Sequence, residues 1–108
     1  MKILIVDDDE NSRVFLERAL RDQHYSAESS ANGVEALEKA SLWHPDLIIS
    51  DILMPEMNGF ELCRRIKTDE HLRNIPFIFF RTNLLFRLKG KSRRKEGFAR
   101  SGILKRSG

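Results

Sequence analysis

The chain has 108 residues, 41% of them hydrophobic and 32% charged, which is typical of a single globular domain with one core. No apolar run approaches the length that spans a membrane, and Met1 leads directly into a strand-like run, so we expect neither a membrane segment nor a signal peptide. Cys63 is the single cysteine, which excludes an internal disulfide and makes a reducing cytoplasm the expected location.

The net charge of +3 is divided unevenly along the chain. Residues 1–80 carry 9 basic and 15 acidic side chains, a net charge of −6, whereas residues 81–108 carry 10 and 1, a net charge of +9. An acidic body and a basic tail are not typical of one continuous surface. We therefore expect a domain core over residues 1–80, followed by a basic C-terminal segment over residues 81–108 that is atypical or disordered.

Strands and helices are predicted to alternate from residue 2 to residue 80. Short apolar or alternating runs bounded by turn residues predict four strands, at Ile3–Val6, Tyr25–Ser29, Asp46–Ser50 and Pro76–Phe80. Apolar residues at helical spacing predict three helices, with apolar sides formed by Phe15, Leu16, Ala19 and Leu20, by Val34, Leu37 and Trp43, and by Phe60, Leu62, Cys63 and Ile66. This order predicts an α/β fold, a doubly wound parallel sheet with helices on both faces.

Carboxylates follow two of the predicted strands. Asp7, Asp8 and Asp9 follow the first strand, and Asp51 lies where the third should end. Because the carboxyl ends of parallel strands meet at one edge of a sheet, at least three of these carboxylates should lie together. Like charges held that close need a cation or a shared proton, and oxygen ligands alone favour Mg²⁺ over Zn²⁺. Asp9 is expected to cap the following helix instead of binding the metal.

These residues resemble a known family. The Asp7-Asp8 pair, Asp51, and the spacing Asp-x-x-Met-Pro-x-x-x-Gly from Asp51 to Gly59 are similar to the receiver domain of two-component response regulators. The resemblance covers residues 1–80 in unbroken order, and the motif is highly specific. It implies a flavodoxin-like fold, with five parallel strands in the order 2-1-3-4-5.

The resemblance also implies a function in a two-component phosphorelay. Asp51 would accept a phosphoryl group from a histidine kinase or a histidine phosphotransfer protein, which makes the chain a signalling phosphoacceptor and not an independent enzyme. Asp8 and Asp51 would bind Mg²⁺ together with the backbone carbonyl of Leu53, and Asp7 would contribute through water.

The C-terminal segment departs from the pattern of the family. The family has a Thr or Ser at the end of strand four and a Lys at the end of strand five. Here Arg81 follows Phe80, so Thr82 and Lys105 are weak candidates for these two roles. We expect strand five to be doubtful or missing and the last helix to be absent. Strand Pro76–Phe80 would then be an unpaired edge, which predicts a low melting temperature or self-association.

Three origins of the basic segment remain open. It is a basic arm that binds nucleic acid or an acidic partner, a linker to an output domain, or the product of a reading frame shifted after Phe80. We favour the frame shift, because an abrupt change of composition coincides with the loss of every expected site.

Two alternative functions belong to other classes. The pair Asp7-x-Asp9 after a strand also resembles the nucleophile and the acid/base residue of haloacid dehalogenase-type phosphatases. That family would place a Thr two residues beyond the second Asp, where this chain has Asn11 followed by Ser12. A nucleic-acid-binding module is the other alternative, and it rests on residues 81–108 alone.

Overall fold

The computed structural model describes residues 1–80 and the backbone of residues 104–106. Seven elements alternate along the first range, in the order β1 (Lys2–Val6), α1 (Glu10–Asp22), β2 (Ser26–Ser30), α2 (Gly33–Trp43), β3 (Leu47–Asp51), α3 (Gly59–Lys67) and β4 (Phe77–Phe80). A short strand, β5 (Leu104–Arg106), follows. The predicted α/β fold is confirmed, and none of the helices in the described part is long and apolar enough to cross a bilayer.

The sheet order is β2-β1-β3-β4-β5, and the first four strands are parallel. The predicted order 2-1-3-4 is therefore confirmed, with the polar strand β2 at an edge as expected. The register places Val6 opposite both Ser30 and Ser50, and Asp51 opposite Phe80. As a result, β1 and β3 end at the same edge of the sheet, within one residue of each other in the register.

Strand β5 corrects the expectations for the end of the sheet. It pairs with β4 in the antiparallel direction, with Leu104 opposite Phe80 and Lys105 opposite Phe79. β4 is thus not an edge, and the predicted cause of a low melting temperature or self-association is wrong. An antiparallel neighbour needs no crossover helix, so it can complete the edge without the parallel strand that the resemblance implies. Residues 104–106 form this strand, and the expectation that the segment over residues 81–108 is atypical or disordered stays a prediction for the rest of it, which lies outside the described residues.

The main core lies between one face of the sheet and helices α2 and α3. Successive strand residues point to opposite faces, so Leu4 and Val6 point towards this core whereas Ile3 and Ile5 point away from it. Helix α1 lies against β1 and β2 on that second face. The remaining side chains of the main core come from β3, β4, α2, α3 and the segments that flank them: Ala36, Ala40, Ile48, Ile52, Met54, Met57, Leu62, Ile66, Leu72, Phe77 and Phe79.

Helix α2 contacts the sheet through small residues that the sequence analysis did not select. Ala36 and Ala40 are completely buried, whereas Val34 is 55% exposed. The prediction for Val34 was wrong, because the helix lies so close to the sheet that methyl groups fill the space between them. Leu37 and Trp43 pack at the margin of the core, as predicted.

Helices α1 and α3 also turn part of their predicted apolar sides outwards. Phe15 of α1 and Phe60 of α3 are 68% and 56% exposed, and Ala19 is exposed as well. Leu62 and Ile66 of α3 are buried as predicted. Helical spacing defines an apolar arc, but the tilt of a helix on the sheet decides which half of that arc is covered.

The close approach of α2 predicts which of its residues tolerate a change of size. We expect Ala40→Leu to lower the free energy of unfolding by about 1–3 kcal/mol, because the added carbons overpack a filled core. Val34→Ala should change it by less than about 0.5 kcal/mol, since that side chain is exposed. Urea denaturation followed by circular dichroism measures both, and a larger loss for Val34→Ala than for Ala40→Leu would contradict this packing.

Candidate functional site

Three carboxylates meet where β1 and β3 end. Asp7 and Asp8 directly follow β1, and Asp51 is the last residue of β3. One carboxylate oxygen from each of the three lies within 4.8 Å of the others. Asp7 and Asp51 are completely buried, whereas Asp8 is partly exposed and gives the cluster a side that faces solvent. The juxtaposition predicted from the two strand ends is therefore present.

The position of Asp7 is fixed by contacts on both of its sides. Its backbone N–H donates to the carbonyl of Ser30 at 3.1 Å, and its own carbonyl accepts from the guanidinium of Arg13 at 2.8 Å. In the side chain, Oδ1 accepts from the backbone N–H of Asp9 at 3.0 Å. Oδ2 is buried without a hydrogen-bond partner among the residues that the structure describes.

The protonation of Asp7 reflects this environment. Burial raises the pKa of its carboxyl from the ordinary value of 3.8 to about 6, because the charged form loses its hydration. The hydrogen bond from the Asp9 amide lowers this pKa in part, and the charges of Asp8 and Asp9 raise it again. The site therefore holds more negative charge than its surroundings stabilise.

The position of Asp51 depends on the start of α3. The backbone N–H of Gly59 donates to the carbonyl of Ile52 at 2.9 Å, which brings the first turn of α3 against the end of β3. A Cβ atom on Gly59 would lie 2.4 Å from the carbonyl oxygen of Asp51 and 3.0 Å from Cα of Ile52. Any larger residue here would have to displace the backbone of Asp51 itself.

Asp9 has a separate task. Its side chain accepts from the backbone N–H of Ser12 at 2.8 Å and forms the N-cap of α1. The prediction that Asp9 is a cap is confirmed. Its carboxylate is not a member of the group formed by Asp7, Asp8 and Asp51.

The donor set fits a hard divalent cation. Three carboxylates supply only oxygen ligands, and Asp7 offers a buried oxygen whose hydrogen-bonding capacity is unused among the described residues. A divalent cation would relieve both the repulsion within the cluster and the cost of the buried charge. Oxygen ligands of this kind favour Mg²⁺ or Ca²⁺ over a transition metal.

The other predicted site residues lie in two different regions. Leu53 is in the loop that follows Asp51, two residues beyond it, where it is partly exposed. Lys105 is the middle residue of β5, opposite Phe79. Thr82 lies outside the described residues.

The sequence analysis missed the contacts that hold the site in place. Arg13 reaches back to the carbonyl of Asp7, and Met57 packs against Gly33, the first residue of α2. Asn32-Gly33 was interpreted as a turn signal only, and no local pattern indicates what a glycine faces across the fold. The motif spacing did select Gly59, and the closeness of Gly59 to Asp51 supplies the physical reason for it.

Comparison with known proteins gives one consistent result. The sequence profile of the family described as "Response regulator receiver domain" matches residues 3–84. The chain is 36% identical to the response regulator PleD of Caulobacter vibrioides over 96 residues, which is 89% of the chain and 20% of PleD. It therefore spans about a fifth of the length of this relative.

Solved structures agree with the sequence comparison. The receiver domain of a signal transduction histidine kinase from Syntrophus aciditrophicus superposes with a TM-score of 0.70 at 47% identity, over 73% of this chain and 60% of that one. The response regulator TrrA of Thermotoga maritima, in complex with Mg²⁺ and BeF, superposes with a TM-score of 0.60 at 39% identity, over 62% of this chain and 58% of that one.

The raised pKa of Asp7 predicts how stability depends on pH. The folded-state pKa of about 6 exceeds the ordinary value of 3.8, so this carboxyl contributes its full stability below pH 3.8 and loses it as the pH rises through 6. We expect Asp7→Asn to raise the free energy of unfolding at pH 7 by roughly 3 kcal/mol in metal-free buffer, and to have little effect at the acid end. Urea denaturation between pH 4 and pH 7 with a chelator present measures this.

The matched control is Asp22→Asn, which removes an exposed carboxylate at the end of α1. It should leave the pH dependence of the wild type in place. The same pH dependence in Asp7→Asn and in the wild type would contradict this account of Asp7.

Proposed function

This chain belongs to the response regulator receiver domain family, and we propose that Asp51 accepts a phosphoryl group from a histidine kinase in a site that binds Mg²⁺. Receiver domains are signalling domains of two-component regulatory systems, and domains similar to this one also occur within histidine kinases. The observation that carries the proposal is the cluster of Asp7, Asp8 and Asp51, whose oxygens lie within 4.8 Å of one another.

The arrangement of the three carboxylates supports different roles for them. Asp7 is a poor nucleophile, because one of its oxygens accepts from the Asp9 amide and its raised pKa keeps part of the population protonated near pH 6. Asp8 is the one member with an exposed side, which suits a metal ligand that shares its ion with water. Asp51 lies at the end of β3 with its backbone held against α3, which suits a nucleophile that has to keep its position.

The metal would be held by Asp8, Asp51 and the backbone carbonyl of Leu53, with Asp7 acting through water. When bound, Mg²⁺ supplies positive charge that offsets the carboxylates and the phosphoryl oxygens. The similar protein TrrA holds Mg²⁺ together with BeF, and this supports an equivalent site here.

The covalent step is then a transfer between two side chains. A carboxylate oxygen of Asp51 attacks the phosphorus of the phosphohistidine, so an O–P bond forms and the P–N bond breaks. The electron pair of the broken bond remains on the imidazole nitrogen of the kinase. The resulting acyl phosphate is later cleaved by water, which releases inorganic phosphate and restores the carboxylate. The chain acts as a phosphoacceptor that promotes both of these steps on itself.

Two further residues would hold the phosphoryl group. The family pattern asks for a hydroxyl after β4 and a lysine after β5, and we propose Thr82 and Lys105 for these places. The antiparallel direction of β5 sets Lys105 opposite Phe79 and Leu104 opposite Phe80, so it is the start of β5, and not its end, that lies at the edge of the sheet where Asp51 is found.

The alternative functions receive less support. Asp9 caps α1 and does not join the carboxylate cluster, which leaves a haloacid dehalogenase-type pair without its second member. The comparisons give no support to a nucleic-acid-binding module. A cytoplasmic location, self-association and contacts of residues 81–108 with nucleic acid stay predictions from the sequence.

Labelling of the acceptor tests the proposal directly. We expect the wild type to incorporate phosphate from acetyl phosphate or phosphoramidate in the presence of Mg²⁺, and Asp51→Asn to incorporate none, because the amide is not a nucleophile towards phosphorus. Intact-protein mass spectrometry measures the added phosphate, and a melting curve shows whether the variant is folded.

Asp9→Asn is the matched control for loss of one carboxylate near the site. Asparagine caps a helix as well as aspartate does, so this variant should fold and be labelled close to the wild-type level. Persistent label on Asp51→Asn would refute the assignment of Asp51. Loss of label in Asp9→Asn with an intact fold would favour the phosphatase-type pair instead.

Removal of the proposed metal ligand gives a different result from removal of the nucleophile. We expect Asp8→Asn to be labelled at Asp51 only at Mg²⁺ concentrations at least roughly 10–100-fold higher, since loss of a residue that merely orients a metal ligand already lowers metal affinity by such a factor. A titration of labelling rate against Mg²⁺ measures this. An unchanged Mg²⁺ requirement would count against Asp8 as a ligand.

A further inference from the structure

The loop that joins β3 to α3 is held at both of its ends. We call residues 52–58 the acceptor loop, since they follow Asp51 directly. At its start the backbone N–H of Ile52 donates to the carbonyl of Phe80 at 3.1 Å, and at its end the N–H of Gly59 donates back to the carbonyl of Ile52 at 2.9 Å. A displacement in the middle of so short a loop has to pass to its neighbours in the loop, Leu53 among them.

The middle of the acceptor loop packs on the first residue of another helix. A Cβ atom on Gly33 would lie 2.5 Å from Sδ, 2.9 Å from Cγ and 2.9 Å from Cβ of Met57. A new rotamer of Met57 can move its sulfur, but the Cβ atom is bonded to the backbone and stays where it is. Any side chain at position 33 therefore has to displace the backbone of the loop or of the helix.

Helix α2 is the more firmly held of the two. Its cap residue Asn32 accepts from the N–H of Glu35 at 2.8 Å, and Glu35 in turn accepts from the N–H of Ala31 at 2.9 Å. The buried methyl groups of Ala36 and Ala40 hold the helix against the sheet. A clash at Gly33 would therefore move the loop and leave the helix in place.

The loop also contains a strained residue beside this contact. Glu56 has a φ of 66°, in the left-handed region that costs a non-glycine residue roughly 1–2 kcal/mol. Such a conformation persists only where surrounding contacts impose it, and the neighbouring side chain of Met57 is buried against Gly33. The packing of Met57 on Gly33 thus helps to keep the loop in its present conformation, together with the buried side chains of Ile52 and Met54.

We propose that Gly33 and Met57 are positioning residues for the phosphoacceptor site: their close packing sets the conformation of the acceptor loop, and through it the Mg²⁺ affinity and the reactivity of Asp51. The inference rests on the proposed function of Asp51. It adds a constraint from the far side of the loop, where neither residue belongs to the carboxylate cluster.

The test compares Gly33→Ala, Met57→Gly and the double variant with the wild type, in two assays. The first is the rate of labelling by acetyl phosphate at saturating Mg²⁺. The second is the affinity for Mg²⁺ alone, measured from the NMR chemical shifts of the backbone amides of Asp8 and Asp51 during a titration. We expect Gly33→Ala to lower the labelling rate by roughly 10–100-fold, the effect of misplacing reacting groups by about 1 Å, and to weaken Mg²⁺ binding.

Rescue distinguishes positioning from general destabilisation. Met57→Gly removes all three atoms that a new methyl group at position 33 would meet, so the double variant should be labelled no more slowly than Met57→Gly alone. The matched control is Ile3→Val, which weakens the protein at a buried position at the start of β1, outside the core that contains Met57. This control should melt at a lower temperature and still be labelled at the wild-type rate below its melting temperature.

Three outcomes would overturn the inference: a wild-type labelling rate in Gly33→Ala, an equal loss in Ile3→Val, or a double variant that is labelled more slowly than Met57→Gly alone. Should Gly33→Ala fail to fold, Met57→Gly tests the same contact from the loop side, and labelling and Mg²⁺ affinity equal to the wild type would overturn the inference. Failure of the wild type to be labelled at Asp51 would refute the proposed function itself, and is thereby distinguished from these results.

Discussion

Repulsion among three carboxylates is the constraint on which the rest of this site depends. The parallel register of β1 and β3 ends both strands at one edge, so Asp7, Asp8 and Asp51 are brought within 4.8 Å by the backbone of the sheet. The fold supplies the free energy that holds them there, and the raised pKa of Asp7 reflects chiefly the burial of its charge, to which the charge of Asp8 adds. A bound cation recovers part of it, which links metal binding to stability as well as to chemistry.

Small residues at close contacts maintain this geometry from outside the cluster. Because Gly59 has no side chain, the start of α3 can contact the carbonyl of Asp51. In the same way, Gly33 leaves room for the side chain of Met57 against the start of α2. Ala36 and Ala40 bring α2 close enough to the sheet to hold Gly33 in its place. A site built from like charges needs such rigid support, because any slack would let the carboxylates move apart.

The end of the sheet shows where reasoning from sequence alone failed. The basic composition after Phe80 correctly marks a departure from the family pattern, but it led to the expectation of an unpaired edge at β4. The structure instead closes that edge with β5 in the antiparallel direction. Pairing of this kind needs only a few residues with free backbone groups, and it carries almost no signal in side-chain composition.

Through the family resemblance, the sequence implied the strand order 2-1-3-4. By itself, it determined the alternation of strands and helices, the cap at Asp9 and the meeting of the carboxylates. These follow from local periodicity, turn residues and motif spacing, which act over a few positions along the chain. Only the tertiary structure decided that α2 buries Ala36 and Ala40 in place of Val34, that β5 is antiparallel, and that Met57 packs on Gly33. Those outcomes depend on distances between elements remote in sequence, and such distances are set by the packing of the whole core.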